Sequence, residues 1–157
     1  MSTRSNIRVI LKEEDRNRDM KFNTEMFNVK REWGPDQLDG TWDTVNPGGA
    51  EALVIYHHWD GYPEGVGATL IKEYNDYNKA LNLVLGGDCS SINSGYVPYA
   101  TRKSEDWDSI KPSAVSKNYP IQEEYDYMFK DGKWFVRGSY NEDLEDWTGL
   151  EEYLNKK

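Results

Sequence analysis

The amino-acid sequence predicts a single α+β domain spanning residues 1–157, with a mostly antiparallel sheet and helices packed on one face. Three observations point there. Short apolar runs with strand character occur near the start, at 52–56 and after residue 124, while helical periodicity is confined to the middle and the C-terminal end. An Asp-Gly dipeptide joins two of the apolar runs as a hairpin. The 157 residues are enough for one core, and six Trp, eleven Tyr and four Phe supply much of its apolar area.

Ile7, Val9 and Leu11 alternate with Arg8, Ile10 and Lys12, which predicts a first strand with one face more apolar than the other. Residues 12–48 are charged and irregular. Gly34-Pro35 and Asn46-Pro47-Gly48-Gly49 are turn signals there, so the stretch is expected to be a long irregular insertion, with Trp33 and Trp42 buried as its anchors beside Leu38. The apolar run 52–56 is the second strand. Helices follow over 65–75 and 76–85; Asp76 is placed to cap the second, whose Tyr77, Ala80, Leu81, Val84 and Leu85 form a stripe, and Gly86-Gly87 stops it. Cys89-Ser90-Ser91 reads as a turn, 96–101 as a third strand, and the polar run to Ser116 as a surface loop.

Asp131-Gly132 suits a type I′ turn, because both of its central positions need positive φ. Counting outward pairs Lys130 with Lys133, Phe129 with Trp134, Met128 with Phe135, Tyr127 with Val136 and Asp126 with Arg137. One face then carries Tyr125, Tyr127, Phe129, Trp134 and Val136. The other is mixed, and its Asp126/Arg137 pair is expected to be exposed and worth under about 1 kcal/mol. An acidic helix over 141–154 is expected to bury Leu144, Trp147, Leu150 and Leu154.

The best site candidate is the segment from His57 to Gly67, where the second strand empties into polar and aromatic groups and both histidines of the chain reside. His58, Trp59 and Tyr62 can stack on a planar ring, Asp60 and Glu64 can accept from hydroxyls or amines, and the N–H groups of the following helix start can hold an anion. Arg4 and Arg102 would add charge if the fold brings them near. Neighbouring histidines on a strand point to opposite faces, so no metal is expected. His58 with Asp60, Glu64 or a Tyr has the chemistry of an acid/base pair, yet the chain lacks a nucleophile elbow, a P-loop and a dinucleotide fingerprint. The competing reading makes residues 59–63 a rigid turn with Asp60 capping the helix.

The N-terminal Met1-Ser2-Thr3-Arg4-Ser5-Asn6-Ile7, the decapeptide His58-Trp59-Asp60-Gly61-Tyr62-Pro63-Glu64-Gly65-Val66-Gly67 and Gly87-Asp88-Cys89-Ser90-Ser91-Ile92 resemble, in that order, a family of small proteins of bacteriophages and prophages. The stretch from Phe129 to Val136 is similar to that family's closing hairpin. The resemblance implies a phage context and host-virus interaction; it carries over no catalytic residue.

Charge and composition narrow the classes further. With 28 acidic against 19 basic residues the net charge is −9, which opposes general binding to a nucleic-acid backbone. No apolar run approaches the roughly 20 residues of a membrane span, and a single cysteine gives no internal disulfide, so a cytoplasmic protein is expected, without cofactor. The reading is a non-enzymatic phage accessory protein that sequesters a small host ligand, such as a nucleotide immune signal, through His58, Trp59, Asp60, Tyr62, Glu64, Arg4 and Arg102. An acidic inhibitor of a host nuclease, using carboxylates such as Asp106, Asp108, Glu123, Glu124, Glu142, Asp143, Glu145 and Asp146, is the alternative. A small nucleotide-directed enzyme is the third. The oligomeric state is left open.

Overall fold

The computed structural model describes residues 3–21, 44–93, 95–98, 111–139 and 142–156. Its main sheet runs in the order β10-β9-β8-β1-β4-β5-β6, with β7 also pairing β4. These strands are β1 (Ser5–Ile10), β4 (Ala52–His57), β5 (Cys89–Ser91), β6 (Val97–Pro98), β7 (Ser113–Val115), β8 (Tyr125–Lys130), β9 (Lys133–Gly138) and β10 (Thr148–Gly149). β1 lies antiparallel to β4 and parallel to β8; β4 and β5 are also parallel, and the other neighbours are antiparallel. The expected α+β class is therefore present.

The alternation of β1 determines what each face of the sheet holds. Ile7 pairs with Ile55 and Tyr127, and Val9 with Leu53 and Phe129, so one face is apolar across three strands. Three helices supply the other half of that core. From α1 (Ala68–Glu73) comes Leu70, from α2 (Tyr77–Val84) Ala80, Leu81, Leu83 and Val84, and from α3 (Leu150–Asn155) Leu150 and Tyr153. A π-helical turn, Pro63–Gly67, leads into α1. Asp76 caps α2 as expected, its side chain accepting from the Lys79 N–H at 2.8 Å, and Gly87 takes a φ of 84° just beyond the helix end.

The closing hairpin has the register counted from the sequence, with Lys130 opposite Lys133 and Phe129 opposite Trp134. Asp131 at φ 52° and Gly132 at φ 82° form its tip. Phe129 and Trp134 meet edge to face, ring centroids 5.2 Å apart.

Four expectations are corrected. Cys89–Ser91 is a strand, because His57 pairs with Cys89 and the buried edge of β4 needs a partner for its N–H groups. The loop through Ser116 contains β7, which supplies the same need at Ala52–Val54. The C-terminal helix begins only at Leu150; Glu142–Leu144 is a 3-10 turn, and Thr148–Gly149, poor helix formers, pair with β9 instead. The Asp126/Arg137 pair is buried: Asp126 is 0% exposed.

The ends of the insertion are more ordered than its composition suggests. Glu13–Asp15 is a 3-10 turn, and β2 (Met20–Lys21) pairs with β3 (Thr44–Val45) in a small second sheet. Trp33, Leu38 and Trp42, and the end of the 96–101 strand beyond Pro98, lie outside the described residues.

Candidate functional site

Beyond its last paired residue β4 runs on beside β5. The His58 N–H donates to the Cys89 carbonyl at 3.1 Å and the Trp59 N–H to the Ser90 carbonyl at 2.9 Å. Asp60 then turns the chain with a φ of 58°. Gly61 is clamped on both sides: its N–H donates to the Thr3 carbonyl at 2.8 Å, and its own carbonyl accepts from the Tyr127 hydroxyl at 2.6 Å. A methyl group at position 61 would lie 2.6 Å from the Thr3 carbonyl oxygen, and one at position 65 would lie 2.6 Å from that of Asp60. Close backbone packing thus accounts for Gly61 and Gly65 without any ligand, which supports the rigid-turn reading of this part of the decapeptide.

Much of the helix start is already committed. The Gly65 N–H donates to the Tyr62 carbonyl and the Val66 N–H to the Asp60 carbonyl, each at 2.9 Å, while Pro63 has no N–H. The chain's own carbonyls therefore take two of the N–H groups on which the expected anion seat relies.

The side chains of the strand end form a different group from the one expected. Tyr56 and His58 share a face by strand alternation, and the Tyr56 hydroxyl lies 2.6 Å from His58 Nδ1. The Trp59 ring stands edge-on to His58, centroids 4.5 Å apart. On the β5 side, Asp88 Oδ1 accepts from the Tyr56 N–H at 2.9 Å. Burial pushes the Asp88 carboxyl up to about 7, against the smaller pull of that hydrogen bond. Tyrosine and histidine side chains therefore meet on one face of β4, while a carboxyl that titrates near neutrality holds the backbone N–H of that tyrosine.

His57 points the other way, into the core. It is 0% exposed, its Nδ1 lies 3.4 Å from Ser5 Oγ, and its Nε2 has no partner among the described residues. Burial, reinforced by the charge of His58, lowers it to about 4. The two histidines cannot share a metal across the sheet.

Of the expected ligand residues, His58 and Trp59 belong to this group. Asp60, Tyr62 and Glu64 lie on the exposed side of the turn, and the hydrogen bond described for the His58 ring is to Tyr56, not to Asp60 or Glu64. Arg4 is exposed at the same end of the sheet, next to the Thr3 that holds Gly61. Arg102 lies outside the described residues. Tyr56 and Asp88 were not singled out from the sequence; two-residue spacing from His58 signals Tyr56, while nothing local signals Asp88.

The same sheet face holds a buried ionic cluster. Arg8, 0% exposed, pairs with Asp126 through the Nε/Nη2 edge of its guanidinium, Nε donating to Oδ1 at 3.1 Å and Nη2 to Oδ2. Arg137 reaches Asp126 Oδ2 from the other side at 3.1 Å, and both arginines donate to the Tyr119 carbonyl. Trp147 lies over the two cations, 4.5 Å from Arg137 and 5.5 Å from Arg8. Burial raises the Asp126 carboxyl and lowers the Arg8 guanidinium, in each case against the pull of the partner.

No protein-family model, no curated protein and no solved structure matches the chain.

Proposed function

We propose that the protein is a phage accessory factor that acts by binding a small host ligand at the end of β4, with His58, Trp59 and Tyr56 as the recognition group. The observation that carries this is the contact of three rings, with Tyr56 hydrogen-bonded to His58 and Trp59 edge-on to it, beside a carboxyl that titrates near neutrality. Such a group offers a stacking surface and both donors and acceptors, as the base of a nucleotide requires. Arg4, Asp60, Tyr62 and Glu64 would form the outer rim. The Gly61 and Gly65 packing shifts weight from the turn itself to the ring cluster it orients.

A second reading has its own observation. Glu142, Asp143, Glu145, Asp146, Glu151 and Glu152 are all exposed in the C-terminal stretch, a distribution suited to a basic patch on a host protein. Native mass spectrometry of the protein recovered from host cells separates the two, because it shows a retained small molecule or a retained protein. His58→Ala and Trp59→Ala should each weaken capture of the small molecule at least tenfold, or about 1.4 kcal/mol, beyond what any loss of stability explains. Capture lost only in proportion to thermal stability would leave these residues a structural role alone.

A further inference from the structure

At the end of the sheet opposite the His58 turn, the ends of β1 and β8, the hairpin tip and the 3-10 turn enclose a cleft of about 350 Å³. Small-ligand sites occupy roughly 300–1,000 Å³, so this one suits a small occupant. Leu11 and Phe129, 2% and 1% exposed, form its floor, and the half-buried Ile10 and Tyr77 give it accessible apolar surface.

Two clamps hold its walls. The Tyr77 hydroxyl donates to Asp15 Oδ2 at 2.6 Å and accepts from the Lys12 N–H at 3.0 Å, which fixes the 3-10 turn against α2. Across the cleft, Glu51 accepts from the Leu11 N–H through its carbonyl at 2.8 Å and from the Lys117 N–H through Oε1 at 3.1 Å.

The charges around it are uneven. Lys12, Arg16 and Lys130 line the cleft, and none of them forms an ion pair with a carboxylate among the described residues. The Lys12 ammonium lies 4.6 Å over the Tyr77 ring, and Arg16 commits its Nε to the Leu11 carbonyl at 3.3 Å, leaving its terminal nitrogens. Glu13, Glu51 and Asp131 are the carboxylates of the lining, and Glu51 already faces the Lys117 ammonium at 3.8 Å. Among the described residues Lys12, Arg16 and Lys130 outnumber the remaining lining carboxylates, Glu13 and Asp131, so the cleft carries a small positive surplus in a chain of net charge −9. A surplus of cations favours an anionic head there.

We propose that this cleft binds a small organic phosphate, with Lys12, Arg16 and Lys130 on the phosphate and Ile10 and Tyr77 against its apolar body. The site is separate from the ring cluster and does not depend on that reading. The test is an amide-shift titration of ¹⁵N-labelled protein with phenyl phosphate, AMP and inorganic phosphate.

Phenyl phosphate or AMP should give saturable shifts at residues 10–13, 51, 117 and 129–132. Inorganic phosphate should bind at least about tenfold more weakly, because it lacks the apolar body. Whichever organic phosphate binds more tightly identifies the body as a simple ring or a nucleoside. Arg16→Glu and Lys130→Glu should each weaken binding about tenfold or more. Lys130 is exposed beside the hairpin tip, so its variant keeps the test valid if the Arg16 change disturbs the 3-10 turn. His58→Ala should leave the phenyl phosphate shifts at residues 10–13 and 129–132 unchanged, whatever AMP does at the end of β4. The proposal is overturned by no saturable shift at residues 10–13 and 129–132 up to about 10 mM, by equal binding of inorganic phosphate there, or by charge reversals without effect.

Discussion

Asp126 shows how one residue can look dispensable in a sequence and be costly to remove from a fold. Its cross-strand pairing with Arg137 is legible from the hairpin count, but its burial is not. Burial follows from β1 docking parallel to β8, which sets Asn6 opposite Asp126 and brings the Arg8 guanidinium onto it, and from Trp147 lying over both arginines. None of these contacts is local. Two guanidiniums depend on one carboxylate, and Arg8 has no exposed surface from which to recover water. Asp126→Ala should therefore destabilise the protein by about 3–5 kcal/mol, the usual consequence of leaving a buried charge unpaired, as read from urea unfolding. Joint replacement of Arg8 by Met and Asp126 by Leu should cost less than Asp126→Ala alone, since Arg137 is 21% exposed and can turn to water. A double variant weaker than the single one would show that the pair contributes net stability beyond its desolvation.

Helix α2 and the closing hairpin were both legible because their signals are local. Asp76, the apolar stripe and Gly86-Gly87 mark the start, face and stop of α2 within twelve residues, and Asp131-Gly132 fixes the hairpin register. Asp76→Ala should cost about 1 kcal/mol, because the Lys79 N–H loses its acceptor while the exposed Lys79 pair at 4.0 Å contributes little. A circular-dichroism melt checks it, and no loss would show that water replaces the cap. The elements that were misread depend on distant partners. β5 and β7 are strands because they cover successive lengths of one edge of β4, and neither has the apolar alternation by which a strand is recognised. Helical spacing from Leu144 to Leu154 is genuine, but the pairing of Thr148 with Val136 and Gly149 with Phe135 interrupts it and frees Trp147 for the opposite face of the sheet. At the candidate site, His58 and Trp59 were legible as residues, and of the partners weighed for His58 the hydrogen bond goes to a tyrosine, Tyr56, because the two share a strand face.

Two buried titratable groups near the β4–β5 junction oppose each other in the pH dependence of the whole molecule. His57 falls from 6.5 to about 4 on folding, so its contribution is fully present above 6.5 and is lost as pH falls toward 4. Asp88 rises from 3.8 to about 7, so its contribution is fully present below 3.8 and is lost as pH rises through 7. Between about 4 and 6.5 the two slopes have opposite signs and largely cancel. Asp88→Asn keeps an acceptor for the Tyr56 N–H but removes the ionisation, and so uncovers the histidine. The stability of the variant relative to the parent should climb as pH rises from about 4 to about 7 and then level off, because only the parent must bury a charged carboxylate there. Subtracting the parent curve removes the carboxylates common to both proteins, so urea midpoints at a series of pH values isolate this one group. A difference that stays constant across the window would mean that Asp88 ionises as freely in the folded chain as in the unfolded one.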